Sequence, residues 1–233
     1  MLLPYFDYLD EGILVFGVLF GSLVTALITG IALHEASHAF TADRLGDGTA
    51  RMMGRVTLNP LRHLDPLGSI LLLVVGFGWG KPVPVNPSRL RNGPETGRAM
   101  VAAAGPLMNL MIAVLAALPF QLGLIEWDLR GPVSSWGVEQ YASLYLGSLI
   151  VINVLLAIFN LLPIAPLDGF SVALGLMPRD MARSFARLER YGLLILMMVI
   201  MIPYVTNYQV PGLWSVMGPV VEGVTDFIVG QDA

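Results

Sequence analysis

The residues of this 233-residue chain best suited to chemistry are His34-Glu35-Ala36-Ser37-His38. On a helix, side chains four apart share a face. Both imidazoles can then reach one ion at about 2.0–2.1 Å, the usual zinc–nitrogen distance. Glu35 stands beside them and can take a proton from a metal-bound water. A metal lowers the pKa of that water from about 15.7 toward 7. The pentapeptide thus offers two ligands and a base. Two histidines on a soluble helix are often plain polar surface. Here they follow an apolar run that ends at Leu33, and titratable groups inside a membrane helix are costly and usually functional.

A third protein ligand must come from a distance. In the extended zinc signature a glycine and a third histidine follow at fixed spacing, but Thr41 and Arg44 occupy those positions. His38 precedes Arg44 by six residues, roughly 9 Å along a helix. The metal is therefore expected a short way into the membrane, and its third ligand at the same depth. Asp168 meets that condition after the helix-breaking Pro163 and Pro166; Asp43, Asp47 and Asp65 are competitors on the same side. Topology alone leaves the choice open.

The elements that position these residues follow from composition. The chain is 55% hydrophobic, with mean hydropathy +0.71, and only 13% of its residues are charged; a soluble domain carries roughly 25%. Lipid is the natural solvent for such a surface. The absence of cysteine excludes disulfides and thiolate metal sites. No basic patch suits a nucleic acid. The expected fold is an α-helical polytopic membrane protein, a single membrane-embedded domain over residues 1–233. At least four transmembrane helices are expected, at about 13–40, 98–120, 141–162 and 191–205. A weaker stretch, 213–229, suits an interfacial or additional helix, with Glu222 and Asp226 on one face.

Every lysine and arginine except Arg130 falls after the first span or after the third. The positive-inside rule then puts both segments in the cytoplasm and the N-terminus outside. The connector 42–97 holds an apolar, glycine-broken run and then Lys81-Pro82-Val83-Pro84-Val85-Asn86-Pro87. Proline cannot donate to a central ladder, so this stretch is expected as the edge of a re-entrant or interfacial β element. Such an edge, through Val83 and Val85, could hold an extended substrate by strand addition.

Five segments together resemble the site-2 protease family of intramembrane zinc metalloproteases. They are His34-Glu35-x-x-His38, Ala104-Gly105-Pro106-Leu-Met-Asn109 and Asn160-Leu-Leu-Pro163-Ile-Ala-Pro166-Leu-Asp168-Gly169, with two connector segments. The connector segments, Leu58-Asn59-Pro60-Leu-Arg-His63-Leu-Asp65-Pro66 and Gly80 to Pro87, are similar to the compact subgroup without a PDZ domain. The resemblance implies one zinc ion per chain on His34, His38 and Asp168, with Glu35 as general base. It implies that Asn160 orients or polarises the scissile carbonyl, and that Asn109 lines or packs the site. It also implies transmembrane protein substrates in the plasma or inner membrane. From the residues alone, Asn160 is as well suited to interhelical hydrogen bonding as to polarising a carbonyl, and Asn153, close to the same helical face, is expected to pack. His63 is expected to contact substrate or to stabilise a turn. The rival reading is a zinc transporter or sensor, which leaves Glu35 without a purpose. An inactive scaffold leaves all four polar residues without one.

Overall fold

The computed structural model describes residues 12–75, 78–127, 129, 132–207 and 209–230. In chain order its helices are α1 (Ile13–Arg44), α2 (Thr49–Met52), α3 (Pro66–Val75), α4 (Pro94–Gln121), α5 (Val138–Asn160), α6 (Asp168–Leu176), α7 (Arg179–Ala186), α8 (Gly192–Val205) and α9 (Leu213–Val229). Helices α1, α4 and α5 are each long and apolar enough to cross a membrane, as is the stretch Arg179–Val205 that ends in α8. The chain is an integral membrane protein. Large apolar side chains such as Leu14, Leu107, Leu115 and Leu194 stand exposed on these helices, where only lipid would accept them at low cost.

Helices α1, α4, α5 and α6 pack into one bundle. One core joins Ala113, Ala117 and Phe120 of α4 to Ile150 and Val154 of α5 and to Val221, Ile228 and Val229 of α9. The stretch 213–229 is thus a helix laid against the protein, with Glu222 exposed. A second cluster ties Leu23, Ala26 and Leu27 of α1 to Ile152 of α5. Small residues let the helices approach closely, as is common in lipid.

The break after α5 places Asp168. Pro163 and Pro166 cannot continue a helix, and α6 restarts at Asp168. Its next residue, Gly169, lies on the end of α5: a Cβ there would stand 2.1 Å from the Leu161 carbonyl oxygen. Only glycine allows this return.

The expected β element does not form. Among the described residues there is no strand, only one isolated antiparallel bridge between Leu64 and Gly80. The Lys81 N–H donates to the His63 carbonyl at 2.7 Å, but Pro82, Pro84 and Pro87 have no N–H with which to extend a ladder. The apolar run before it is helical instead. Pro66 opens α3, and Asp65 caps it by accepting the Gly68 N–H at 2.8 Å.

Candidate metal centre

Helix α1 carries His34 and His38 one turn apart on a buried face, with ring centroids 4.6 Å apart and planes at 89°. Asp168 comes to them from the first turn of α6. Its Oδ2 lies 3.0 Å from His34 Nε2 and 3.3 Å from His38 Nε2. Among the described residues this is the only group of its kind able to hold a metal ion, its ligand atoms all within 4.8 Å of one another. Glu35 is half-buried beside the group and interacts electrostatically with His34, His38 and Asp168.

The far nitrogens decide what the near ones can do. His38 Nδ1 lies 2.7 Å from the Val101 carbonyl oxygen, which can only accept, so Nδ1 must donate. His34 Nδ1 lies 2.6 Å from Asn109 Oδ1. That amide is oriented in turn: its Nδ2 donates to the Gly30 carbonyl at 3.2 Å and to Asn153 Oδ1 at 3.1 Å. Asn153 is itself fixed, because its Nδ2 donates to the Leu149 carbonyl at 2.9 Å. Nδ1 is therefore the nitrogen each histidine uses to donate outward, which leaves Nε2 of both rings facing Asp168 and available to a metal. Asp168 Oδ2 is buried there without a hydrogen-bond partner. Two imidazole nitrogens and one carboxylate oxygen thus face one another across 3.0 and 3.3 Å, a set that either a proton shared with Asp168 or a metal cation can satisfy. Two imidazoles and one carboxylate, with a position left open, suit zinc at a catalytic site. Orientation of ligating histidines by their other nitrogen is the usual outer support of such a site.

Gly105 gives the group its room. A Cβ at Gly105 would stand 2.5 Å from His34 Nε2 and 2.6 Å from His38 Cε1.

The competing carboxylates are used elsewhere. Asp43 pairs with Arg51, Asp65 caps α3, and Asp47 is fully buried and accepts from Thr49 and from the Asn86 N–H. The remaining sequence candidates are dispersed. Asn160 donates its amide to the Leu156 carbonyl at 2.8 Å, one turn back in α5. His63 is fully buried in the connector and donates from Nε2 to the Thr57 carbonyl at 2.8 Å. It is not part of the metal group. Burial lowers its pKa, so it stays neutral. Val85 packs against the cluster of Ala42, Leu90 and Val101, and Val83 is half-buried nearby in sequence. With no ladder at their stretch, the expected edge strand is absent.

Sequence reasoning missed Val101, Gly105 and the link from Asn153 to Asn109. A carbonyl carries no sequence signal. Gly105 and Asn109 do, since they lie four apart and share a face of α4.

The chain is similar in sequence to known proteins. The family model described as peptidase family M50 matches residues 123–203. The chain is 38% identical over 184 residues to YwhC of Bacillus subtilis (strain 168), whose name describes a zinc metalloprotease; the match covers 78% of this chain and 80% of that one. It is 32% identical over 192 residues to Rip2 of Mycolicibacterium smegmatis, covering 80% of this chain and 69% of the relative, and 28% identical over 201 residues to Rip2 of Mycobacterium tuberculosis, covering 84% and 72%. The Rip2 proteins carry a zinc metalloprotease name as well. No solved structure matches the chain.

Proposed function

We propose, from the premise that the chain belongs to peptidase family M50 and is a membrane metalloprotease, that it hydrolyses peptide bonds within or beside the transmembrane segments of other membrane proteins. The observation that carries this reading is the convergence of His34 Nε2, His38 Nε2 and Asp168 Oδ2 next to Glu35, on a helix apolar enough to span. His34, His38 and Asp168 would hold one zinc ion. Zinc, when bound, supplies a Lewis acid that acidifies water and polarises a carbonyl.

The chain's own groups supply the rest. Glu35 takes a proton from the attacking water and returns it to the leaving amine. Asn109 and Val101 hold the imidazoles in the tautomer that offers Nε2. The amide of Asn160 polarises the scissile carbonyl, which requires it to leave the Leu156 carbonyl when substrate binds. A peptide bond in a helix is shielded by its own hydrogen bonds, so the substrate unwinds locally before it is cut. The distribution of arginines puts the site toward the cytoplasmic side of the cell membrane, with the N-terminus outside.

The test is cleavage of a panel of tagged single-span membrane proteins by the purified chain in detergent, beside Glu35→Gln, with metal analysis of both. The expected result is about one zinc per chain in each. Cleavage in the variant should fall by at least ~100-fold. Equal cleavage by both would remove Glu35 from its role. Zinc in both with cleavage by neither would count against this substrate class.

A further inference from the structure

Arg55 is buried, 5% exposed, in the turn after α2. A buried guanidinium needs partners, and both of its partners lie on one short stretch of chain. It donates to the carbonyl of Lys81 and, at 3.1 Å, to that of Pro82. The other side of the same stretch is held as well: the Lys81 N–H donates to the His63 carbonyl at 2.7 Å. The 55–63 segment therefore grips both polar groups of the Lys81 backbone. The prolines that forbid a ladder leave this grip as the local substitute.

What the grip presses on is Glu35. Gly80 adjoins Lys81, and a Cβ at Gly80 would lie 3.2 Å from Glu35 Oε1, 3.3 Å from Glu35 Cγ and 2.9 Å from Ile31 Cγ2. The backbone of Gly80 is thus packed on the side of the carboxylate, and Arg55 also interacts electrostatically with Glu35.

We propose that Arg55 is a positioning residue: by clamping the carbonyls of Lys81 and Pro82, it seats the Gly80 backbone against Glu35 and holds that carboxylate beside the metal group. This rests on the protease reading for its consequence in catalysis, but the clamp itself is independent of it. Lysine replaces arginine only in part here, because a compact ammonium does not reproduce the planar fork whose two nitrogens meet the two carbonyls.

The test uses the absence of cysteine from the chain. In the full chain in detergent, Glu35→Cys with Gly80→Cys brings two thiols to bonding distance only while the stretch is seated. Disulfide yield under mild oxidant is expected to be high with Arg55. It should drop at least ~5-fold with Arg55→Met, and lie between with Arg55→Lys, as expected for loss of two charge-assisted hydrogen bonds. No disulfide with Arg55 present would overturn the seating, and an unchanged yield in Arg55→Met would overturn the clamp.

The second arm compares cleavage by the otherwise unaltered chain, Arg55→Met and Gly80→Ala, on whichever panel protein the unaltered chain cuts. Both variants should keep zinc and lose at least ~10-fold in kcat, with KM within about twofold, since a displaced base weakens the chemical step. A rise in KM at constant kcat would make the stretch a substrate contact and overturn the positioning role. If the unaltered chain cuts nothing, the protease reading fails while the disulfide yields still decide the clamp.

Discussion

The metal group and the stretch of residues 80–86 meet where Gly80 lies beside Glu35, yet they are held by opposite means. The metal group sits on helices. His34, Glu35 and His38 ride on α1, Asn109 and the Val101 carbonyl on α4, and Asp168 at the start of α6. Their backbones are satisfied within their own helices, so side-chain contacts have only to orient a few rings. The 80–86 stretch has no such scaffold. Its backbone is tied down by a carbonyl at one point and by two buried charged side chains, Arg55 near its start and Asp47 at the Asn86 N–H. The first region uses side chains to aim a rigid backbone. The second uses side chains to replace a backbone network that proline forbids.

The comparison is broken most directly at Gly105. If the helices of the first region are rigid, α4 cannot retreat from an added methyl, and the imidazoles must move. Gly105→Ala is expected to weaken zinc affinity by at least ~100-fold, the upper end of what outer-shell changes cost. Cleavage should fall with it while helix content stays the same. Competition against a graded series of chelators measures the first, and circular dichroism the last. Retention of tight zinc would mean that α4 yields, and the region would not be rigid in the sense argued.

A smaller effect is expected at Asn109, which aims His34 without crowding it. Asn109→Leu keeps the number and branching of the side-chain heavy atoms but removes the acceptor for His34 Nδ1 and the donors to Gly30 and Asn153. Zinc affinity should fall by about 10–100-fold. The buried groups left unpaired should also lower stability by about 1–3 kcal/mol each, an upper sum since neighbours relax. A variant that lost stability but bound zinc as before would show that the tautomer of His34 does not depend on this amide.

The two regions also differ in how far the sequence discloses them. The metal group is legible because a helix converts spacing into direction: His34 and His38 four apart declare a shared face. The depth argument then placed the third ligand among four aspartates. It could not finish the choice, because what separates them is tertiary. Asp43, Asp47 and Asp65 are each consumed by a partner that no spacing rule names. The four spans were legible from hydropathy for the same one-dimensional reason; the ends of three fall within a few residues of the expected ones, while the fourth apolar stretch begins at Arg179, well before the expected start. The connector misled. Alternating Pro82-Val83-Pro84-Val85 has the period of a strand, but a strand also needs donors, and the prolines remove them. Arg55 looked like one more arginine of the positive-inside set. Its burial against two distant carbonyls is a fact of folding that a charge count cannot carry.

The smallest and most local expected effect belongs to Asp47, at the far end of the 80–86 stretch. Burial alone would push its carboxyl up, but hydrogen bonds from Thr49 and Asn86, helped by the charge of Arg89, hold it below the usual carboxylate range. A carboxylate with a depressed pKa stabilises the fold above its unfolded pKa of about 3.9. That contribution is lost as pH falls through the depressed folded value. Asp47→Asn should therefore lower the melting temperature of the detergent-solubilised chain by a constant amount from about pH 7 to pH 5. The amount should match the loss of hydrogen bonds to a charged acceptor, about 1.5–3 kcal/mol. As pH falls from the unfolded value through the depressed folded one, the two melting curves should converge, because the parent becomes protonated and loses the same contribution. Zinc affinity should not change, since Asp47 touches the turn and Asn86 and not the metal group. A variant that also lost zinc would mean that the two regions are one mechanical unit, and that the stretch beginning beside Glu35 helps to build the metal centre.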